Sequence, residues 1–248
     1  ANGRTSAVVG HHGGLLDISY WGDQHQSGSF FFHAALDTAW TKLFRFHVNV
    51  GEKRFYPILR DTRLYPFGLG SHDKIGGVAL DHGLTLLPDA VVQHIHVTHN
   101  PKHLPVRVGM LHQESITAIE GGNRTWSDLV FYPKLNAFIA SCTDRNPTIP
   151  IKKGKESLAQ KDLGTIVDAP KATTWVGIGC SHTFTTHRGY HHRSKHYLLS
   201  SVLKGADAAF FVVFARSRPA LEKRLKELAK TVFKECARVG GDYEDRLL

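Results

Sequence analysis

Apolar and polar positions alternate along most of the chain, and the alternation is clearest in residues 89–117. In residues 91–97, Val91, Ile95 and Val97 share one face, while His94, His96 and Thr98 share the other. In residues 106–111, Val106, Val108 and Met110 share a face. Two such runs on either side of a turn built on Asn100-Pro101 predict an antiparallel hairpin with one buried face. The same period recurs elsewhere. Residues 5–10 and 15–21 read as strands around the turn His11-His12-Gly13-Gly14, and residues 129–132 and 137–142 as a hairpin around Pro133-Lys134-Leu135-Asn136. Residues 30–36, 43–50, 54–59, 175–180, 197–203 and 208–214 carry strand composition. Residues 78–87 do so too, with Gly83 as a bulge or bend. Residues 60–78 are rich in Gly, Pro, Asp and Arg and read as a long ordered loop, a kind that often carries function. The polar segment 144–173 predicts a short helix near 156–163.

After Pro219 the period changes. Leu221, Leu225, Leu228, Val232, Cys236 and Val239 recur at steps of three and four, which predicts an amphipathic helix of about six turns. Pro219 sits at its start, where a missing N–H costs nothing, and Gly240-Gly241 reads as its end. Glu222 and Lys226 stand in the favourable order for a helical ion pair. Many short strands followed by one helix define a mainly β chain: a large antiparallel β-sandwich, or supersandwich, over residues 1–216, with a C-terminal helix in residues 217–248.

Composition agrees. Of 248 residues, 42% are hydrophobic, and 23 Gly with 10 Pro suit sheets and turns. No apolar run is long enough to span a membrane. The N-terminus lacks both a signal-like apolar region and an initiator Met, which implies processing or excision from a longer chain. Cys142, Cys180 and Cys236 lie at wide spacing with no zinc pattern, which points to reduced thiols and a cytoplasmic setting. The net charge is +9 and there are 17 His. Basic residues cluster at 152–155 and 188–196, both read as solvated loops. The charge admits a basic binding protein for acidic polysaccharide or nucleic acid. No aromatic residues interleave the clusters in an RNA-binding pattern, which disfavours nucleic acid.

Three passages, in order, resemble the N-terminal β-sandwich of glucoamylase- and glucodextranase-type glycosidases. The first is Asn2-Gly3-Arg4-Thr5-Ser6-Ala7-Val8-Val9-Gly10 with Gly13-Gly14-Leu15-Leu16-Asp17-Ile18-Ser19-Tyr20-Trp21. Here two residues part Asp17-Ile18 from Trp21, a departure from the family's adjacent Asp-Trp. The second is residues 91–113, with His99-Asn100 and His112-Gln113 in the family's places. The third is Tyr132-Pro133-Lys134-Leu135-Asn136-Ala137-Phe138-Ile139. The resemblance implies a non-catalytic sandwich followed by a linker helix and an (α/α)6 barrel. The barrel would hold the catalytic carboxylates and cleave α-glucosidic bonds in a glucan or oligosaccharide. It assigns no catalytic residue and no cofactor to this chain. Similar sandwiches precede the barrels of disaccharide phosphorylases, a second reading.

The residues themselves offer other candidates. Asp17, Asp23, Asp37, Asp61, Glu114, Glu120 and Asp128 are scattered, and hydrolysis by this chain alone would need two carboxylates around one cleft. His94 and His96 point the same way on a strand and are weak metal candidates, with His99, His103 or His112 to complete a site. A pyranose presents an apolar face and a polar rim, so sugar sites combine aromatic platforms with hydrogen-bonding side chains. Tyr20, Trp21, Asp23, His25 and Gln26 have that composition, and so does the stretch around Trp126.

Overall fold

The computed structural model describes residues 5–9, 15–20, 45–55, 62–65, 67–113, 124–126, 130–144, 173–191 and 194–247. These form a mainly β protein with antiparallel sheets and one long helix. Strands β1 (Thr5–Val9) and β2 (Leu15–Tyr20) pair as the predicted hairpin. In the order of the chain, the remaining strands are β3 (Arg45–Val50), β4 (Lys53–Phe55), β5 (Arg63–Tyr65), β6 (Gly68–Ile75), β7 (Val78–Leu87), β8 (Ala90–His99) and β9 (Val106–Gln113). They continue with β10 (Arg124–Trp126), β11 (Val130–Tyr132), β12 (Ala137–Asp144), β13 (Thr173–Cys180), β14 (Thr185–His191), β15 (Ser194–Val202) and β16 (Asp207–Ala215). Helix α1 (Arg218–Leu247) follows.

The larger sheet has nine strands in the order β10-β12-β13-β16-β8-β7-β6-β5, with β11 also on β12. The smaller has five, β14-β15-β9-β3-β4. One core lies where inward side chains of both sheets meet. Val48, Val50, Val106 and Val108 come from the smaller sheet, and Leu80, Leu84, Val91, Ile95, Ile178, Phe210, Val212 and Phe214 from the larger. A second core lies between the other face of the larger sheet and the helix. Ala90, Val92, Ala209, Phe211 and Val213 meet Leu221, Leu225, Leu228 and Val232 there. The central strand β16 is buried on both faces and reads as a continuous apolar run, whereas β8 is buried on both faces only over its first four residues and alternates beyond them.

Several local expectations change. Residues 91–97 and 106–111 are not a hairpin. β8 pairs with β7 and β16, whereas β9 pairs with β3 and β15 in the other sheet. The turn between them crosses the sandwich, with Asn100 bonding Leu104 through both its amide nitrogen and oxygen. Residues 60–78 are not a loop over their described part, since β5 and β6 pair as strands and β6 continues onto β7. The register shift in β7 falls at Ala79/Leu80, not at Gly83. The described part of residues 188–196, namely 188–191 and 194–196, lies in the paired strands β14 and β15 rather than in a loop. Glu222 pairs with Arg218, at 2.8 Å, instead of Lys226. The helix runs through Gly240 and Gly241, because a glycine costs a helix interior only about 1 kcal/mol and ends it only where the chain turns left-handed. The hairpin of β11 and β12 forms as expected, with Asn136 at φ +49° closing the turn. The Asn136 amide donates to His182 O at 2.8 Å and its oxygen accepts from Phe184 N–H at 3.2 Å. The expected strand 30–36, helix 156–163 and basic run 152–155 lie outside the described residues.

Candidate functional site

The helix crosses the larger sheet obliquely. Leu221 and Leu225 lie over Gly177 of β13, while Gly240, most of the way along, comes to 3.8 Å from Phe67 once a β-carbon is placed on it. A groove of about 760 Å³ is left between the C-terminal half of the helix and strands β5 to β8. Arg63, Tyr65 and Phe67 line one side, and Phe233, Cys236 and Ala237 of the helix the other. Its length is lined by Gly70, His72, Asp81, Thr85 and His94.

Register explains the floor of the groove. Gly70 and Gly83 stand opposite each other on β6 and β7, and Gly83 stands opposite His94 on β8. A β-carbon on Gly83 would come to 2.5 Å from the Leu69 carbonyl oxygen and 3.0 Å from His94 Cε1, so the His94 ring lies over the glycine. His94 Nε2 shares a 3.3 Å hydrogen bond with the Thr85 hydroxyl. Burial lowers the pKa of His94, with His82 adding to the effect and Asp207 opposing it. The ring is therefore neutral at neutral pH, with one nitrogen a donor and the other an acceptor. Burial pushes the Cys236 thiol up to about 11, with the Thr85 hydroxyl opposing. That thiol is no nucleophile at neutral pH. On the far wall the Tyr65 and Phe67 rings stack with centroids 5.6 Å apart and planes 20° apart.

Beside this floor runs a ladder of alternating imidazoles and carboxylates. His72, Asp81, His96 and Asp207 stand opposite one another across β6, β7, β8 and β16. His72 Nδ1 meets Asp81 Oδ1 at 2.7 Å, and His96 Nδ1 meets Asp207 Oδ1 at 2.7 Å. No sequence signal marked this row, because it depends on the register of strands up to 111 residues apart.

The candidates drawn from sequence fare unevenly. His94 and His96 share a face, as alternation predicted, but each has its own partner, Thr85 and Asp207. Among the described residues no group of three His, Cys, Asp or Glu is arranged to hold a metal ion. Tyr20 ends β2 and Trp126 ends β10, opposite Cys142. Trp21, Asp23, His25 and Gln26 lie outside the described residues. Arg63, Tyr65, Phe67, Leu69, Gly70, Ser71 and His72 of the groove come from 60–78, which alternation had left as loop, while Asp81, His82, Leu84 and Thr85 come from the expected strand 78–87. Among the described helices none is long and apolar enough to cross a membrane.

The fold and groove define a β-sandwich with a helix packed on its outer face and a ligand-sized groove beside the helix. No family model matches the chain, and no curated protein matches it. Similar solved structures include the family GH92 inverting mannosidase of Bacteroides thetaiotaomicron, at TM-score 0.41 and 8% identity, covering 93% of this chain and 31% of that one. The 4-α-glucanotransferase of Thermococcus litoralis aligns at TM-score 0.37 and 9% identity, covering 88% of this chain and 37% of that one. The chain thus spans about a third of the length of each.

Proposed function

We propose that this chain is the non-catalytic β-sandwich part of a glycoside hydrolase of glucoamylase or glucodextranase type. Residues 1–216 form the sandwich and residues 217–248 the helix leading to an (α/α)6 catalytic partner, in the same polypeptide or another. The sandwich holds that partner, and the loop around Trp21 reaches its substrate cleft. The assembly cleaves α-glucosidic bonds in a glucan or oligosaccharide.

Two things support this reading. One is the resemblance of the three passages in residues 2–139, followed by an amphipathic helix. The other, which carries most weight, is the make-up of the groove. Among its described residues Asp81 is the sole carboxylate, whereas glycoside hydrolysis needs two carboxyl groups flanking the bond. Aromatic rings, a neutral imidazole and one Arg suit binding rather than bond cleavage.

The test is made on the native gene product and whatever co-purifies with it. Hydrolysis of maltooligosaccharides is expected from that assembly and not from residues 1–248 alone. A native product that ends at Leu248, is monomeric without a partner and leaves maltooligosaccharides intact would overturn the proposal.

A further inference from the structure

We propose that the groove between helix α1 and strands β5 to β8 is a binding site for a neutral saccharide, with Tyr65 as its platform. This goes beyond a supporting role for the sandwich. It rests on the glycosidase reading only for the linkage it prefers, α-glucosidic.

Size comes first. At about 760 Å³ the groove falls within the ~300–1,000 Å³ range of small-molecule sites, room for a short oligosaccharide. Its shape follows from two glycines. Gly70 and Gly83 are opposed on neighbouring strands, and the rings beside them fill the space their side chains would take: His94 lies over Gly83, and Tyr65 comes to 3.8 Å from a β-carbon placed on Gly70. Any side chain on Gly83 would strike the Leu69 carbonyl and push His94 out of the groove lining. Glycine at position 83 is required by close packing rather than by backbone conformation: its φ is not positive and no bulge occurs there, but a β-carbon would come to 2.5 Å from the Leu69 carbonyl oxygen. The absence of a side chain seats the His94 ring in the floor of the groove.

Chemistry then narrows the ligand. Tyr65 is 45% exposed, an unusual position for a large aromatic ring, and it is backed by Phe67 in a parallel stack. A ring held flat and half exposed suits the apolar face of a pyranose. Around it stand groups that both donate and accept. His72 is held by Asp81 at 2.7 Å, so the carboxylate keeps further lone pairs for hydroxyls. His94 is neutral and offers both functions, as hydroxyl groups do. Charge argues against an anion. Arg63 is balanced by Asp81 on the same lining, so phosphate or a uronate would meet repulsion as well as attraction. The net charge of +9 is therefore not concentrated in this groove.

The test is calorimetric titration of the protein with maltotriose, with cellotriose and mannotriose as controls, at about 50 and 200 mM salt. Saturable maltotriose binding is expected, changing less than about twofold between the two salt concentrations, as befits a neutral ligand. Tyr65 lies on an edge strand and is half exposed, so Tyr65→Ala should fold with an unchanged melting temperature. It should weaken binding about tenfold or more. Asp81→Asn serves as a second variant and should weaken binding through the lost acceptor. Binding of none of the three sugars, or binding indifferent to both variants, overturns the site. Groove-dependent binding of cellotriose or mannotriose but not maltotriose keeps the site and sinks the α-glucosidic reading. Maltooligosaccharide hydrolysis by the native assembly without binding at the groove keeps that reading and sinks the site.

Discussion

Gly177 lies directly under Leu225. A β-carbon on the glycine would come to 2.8 Å from Leu225 Cδ1 and 3.2 Å from Leu221 Cδ1. The glycine lets the helix seat its apolar stripe, Leu221, Leu225, Leu228 and Val232, against the larger sheet. Gly177→Ala should lift the helix at this point and destabilise the fold by ~1–3 kcal/mol, the usual range for overpacking. Urea unfolding of the variant beside the parent checks this. An unchanged midpoint would show that the helix yields freely and that the contact does not fix its seat.

Arg224 clamps the same helix from its side. Its Nε and Nη2 donate to Asp89 at 2.8 and 3.0 Å, and its Nη1 and Nη2 donate to Glu235 at 2.8 and 2.6 Å. Asp89 sits in the turn between β7 and β8, so the clamp ties the helix to the centre of the sheet. Arg224 is 21% exposed, which places the pair between surface bridges and buried ones. Arg224→Met should cost about 2 kcal/mol, because two carboxylates then face each other without their cation. A double-mutant cycle with Asp89→Asn should recover part of that loss. The hydrogen bonds of Arg224 hold the Glu235 carboxyl below its ordinary value. Its folded pKa is thus depressed, so this share of stability is present above the unfolded value and fades as pH falls below it. In the Arg224→Met variant that part of the acid sensitivity should disappear.

The faces of the strands were legible in the sequence, but their partners were not. Val91, Ile95, Val106 and Val108 all enter the core between the sheets, as their alternation requires. Alternation is equally satisfied when two successive strands face each other across a core as when they lie side by side, so the arch of β8 and β9 read as a hairpin. The hairpin of β11 and β12 was recoverable because its turn chemistry is local, with Asn136 accepting a left-handed conformation. The helix was legible through its period of 3.6, and its end was not, because Gly240 and Gly241 are tolerated inside it. The groove was hidden for a different reason. β5 and β6 carry Gly68, Gly70 and charged residues in place of a β-branched pattern, and their strand state comes from pairing with β7. The chemistry at the floor brings together residues 70, 83, 94 and 236, which only the register and the helix crossing place side by side.

Acid should weaken the fold over a defined range. Burial, assisted by Arg54, lowers the His47 pKa from 6.5 to about 4. Burial also lowers His82 and His94, against the nearby Asp residues. In each case the folded state excludes a proton that the unfolded chain binds. Stability is therefore complete above the unfolded value of 6.5 and falls as pH drops toward about 4, below which His47 is protonated in both states. His47 alone accounts for ~3 kcal/mol of this loss. Melting temperatures measured between these limits should rise with pH, and His47→Gln should flatten the slope. A parent profile already flat across the range would mean that these rings are reached by water.

Cys236 allows a chemical check on the groove wall. Its thiol is pushed up to about 11, against an ordinary 9, mainly by burial. At a given pH below both values the thiolate is about a hundredfold scarcer than at an exposed cysteine. A more basic thiolate is also more nucleophilic, which returns just under tenfold of that loss. Alkylation by iodoacetamide at mildly alkaline pH should therefore run about tenfold slower than for a small-molecule thiol, before any steric hindrance is added. Cys180 is fully buried, with its thiol at about 12, and should react later still. Peptide mapping of the partly labelled protein reads the order. Cys236 should carry label first of the two, since it borders a groove open to solvent. Labelling of Cys236 at the rate of a free thiol would mean that the helix separates from the sheet under native conditions, and equal labelling of Cys180 would mean that the whole core opens with it.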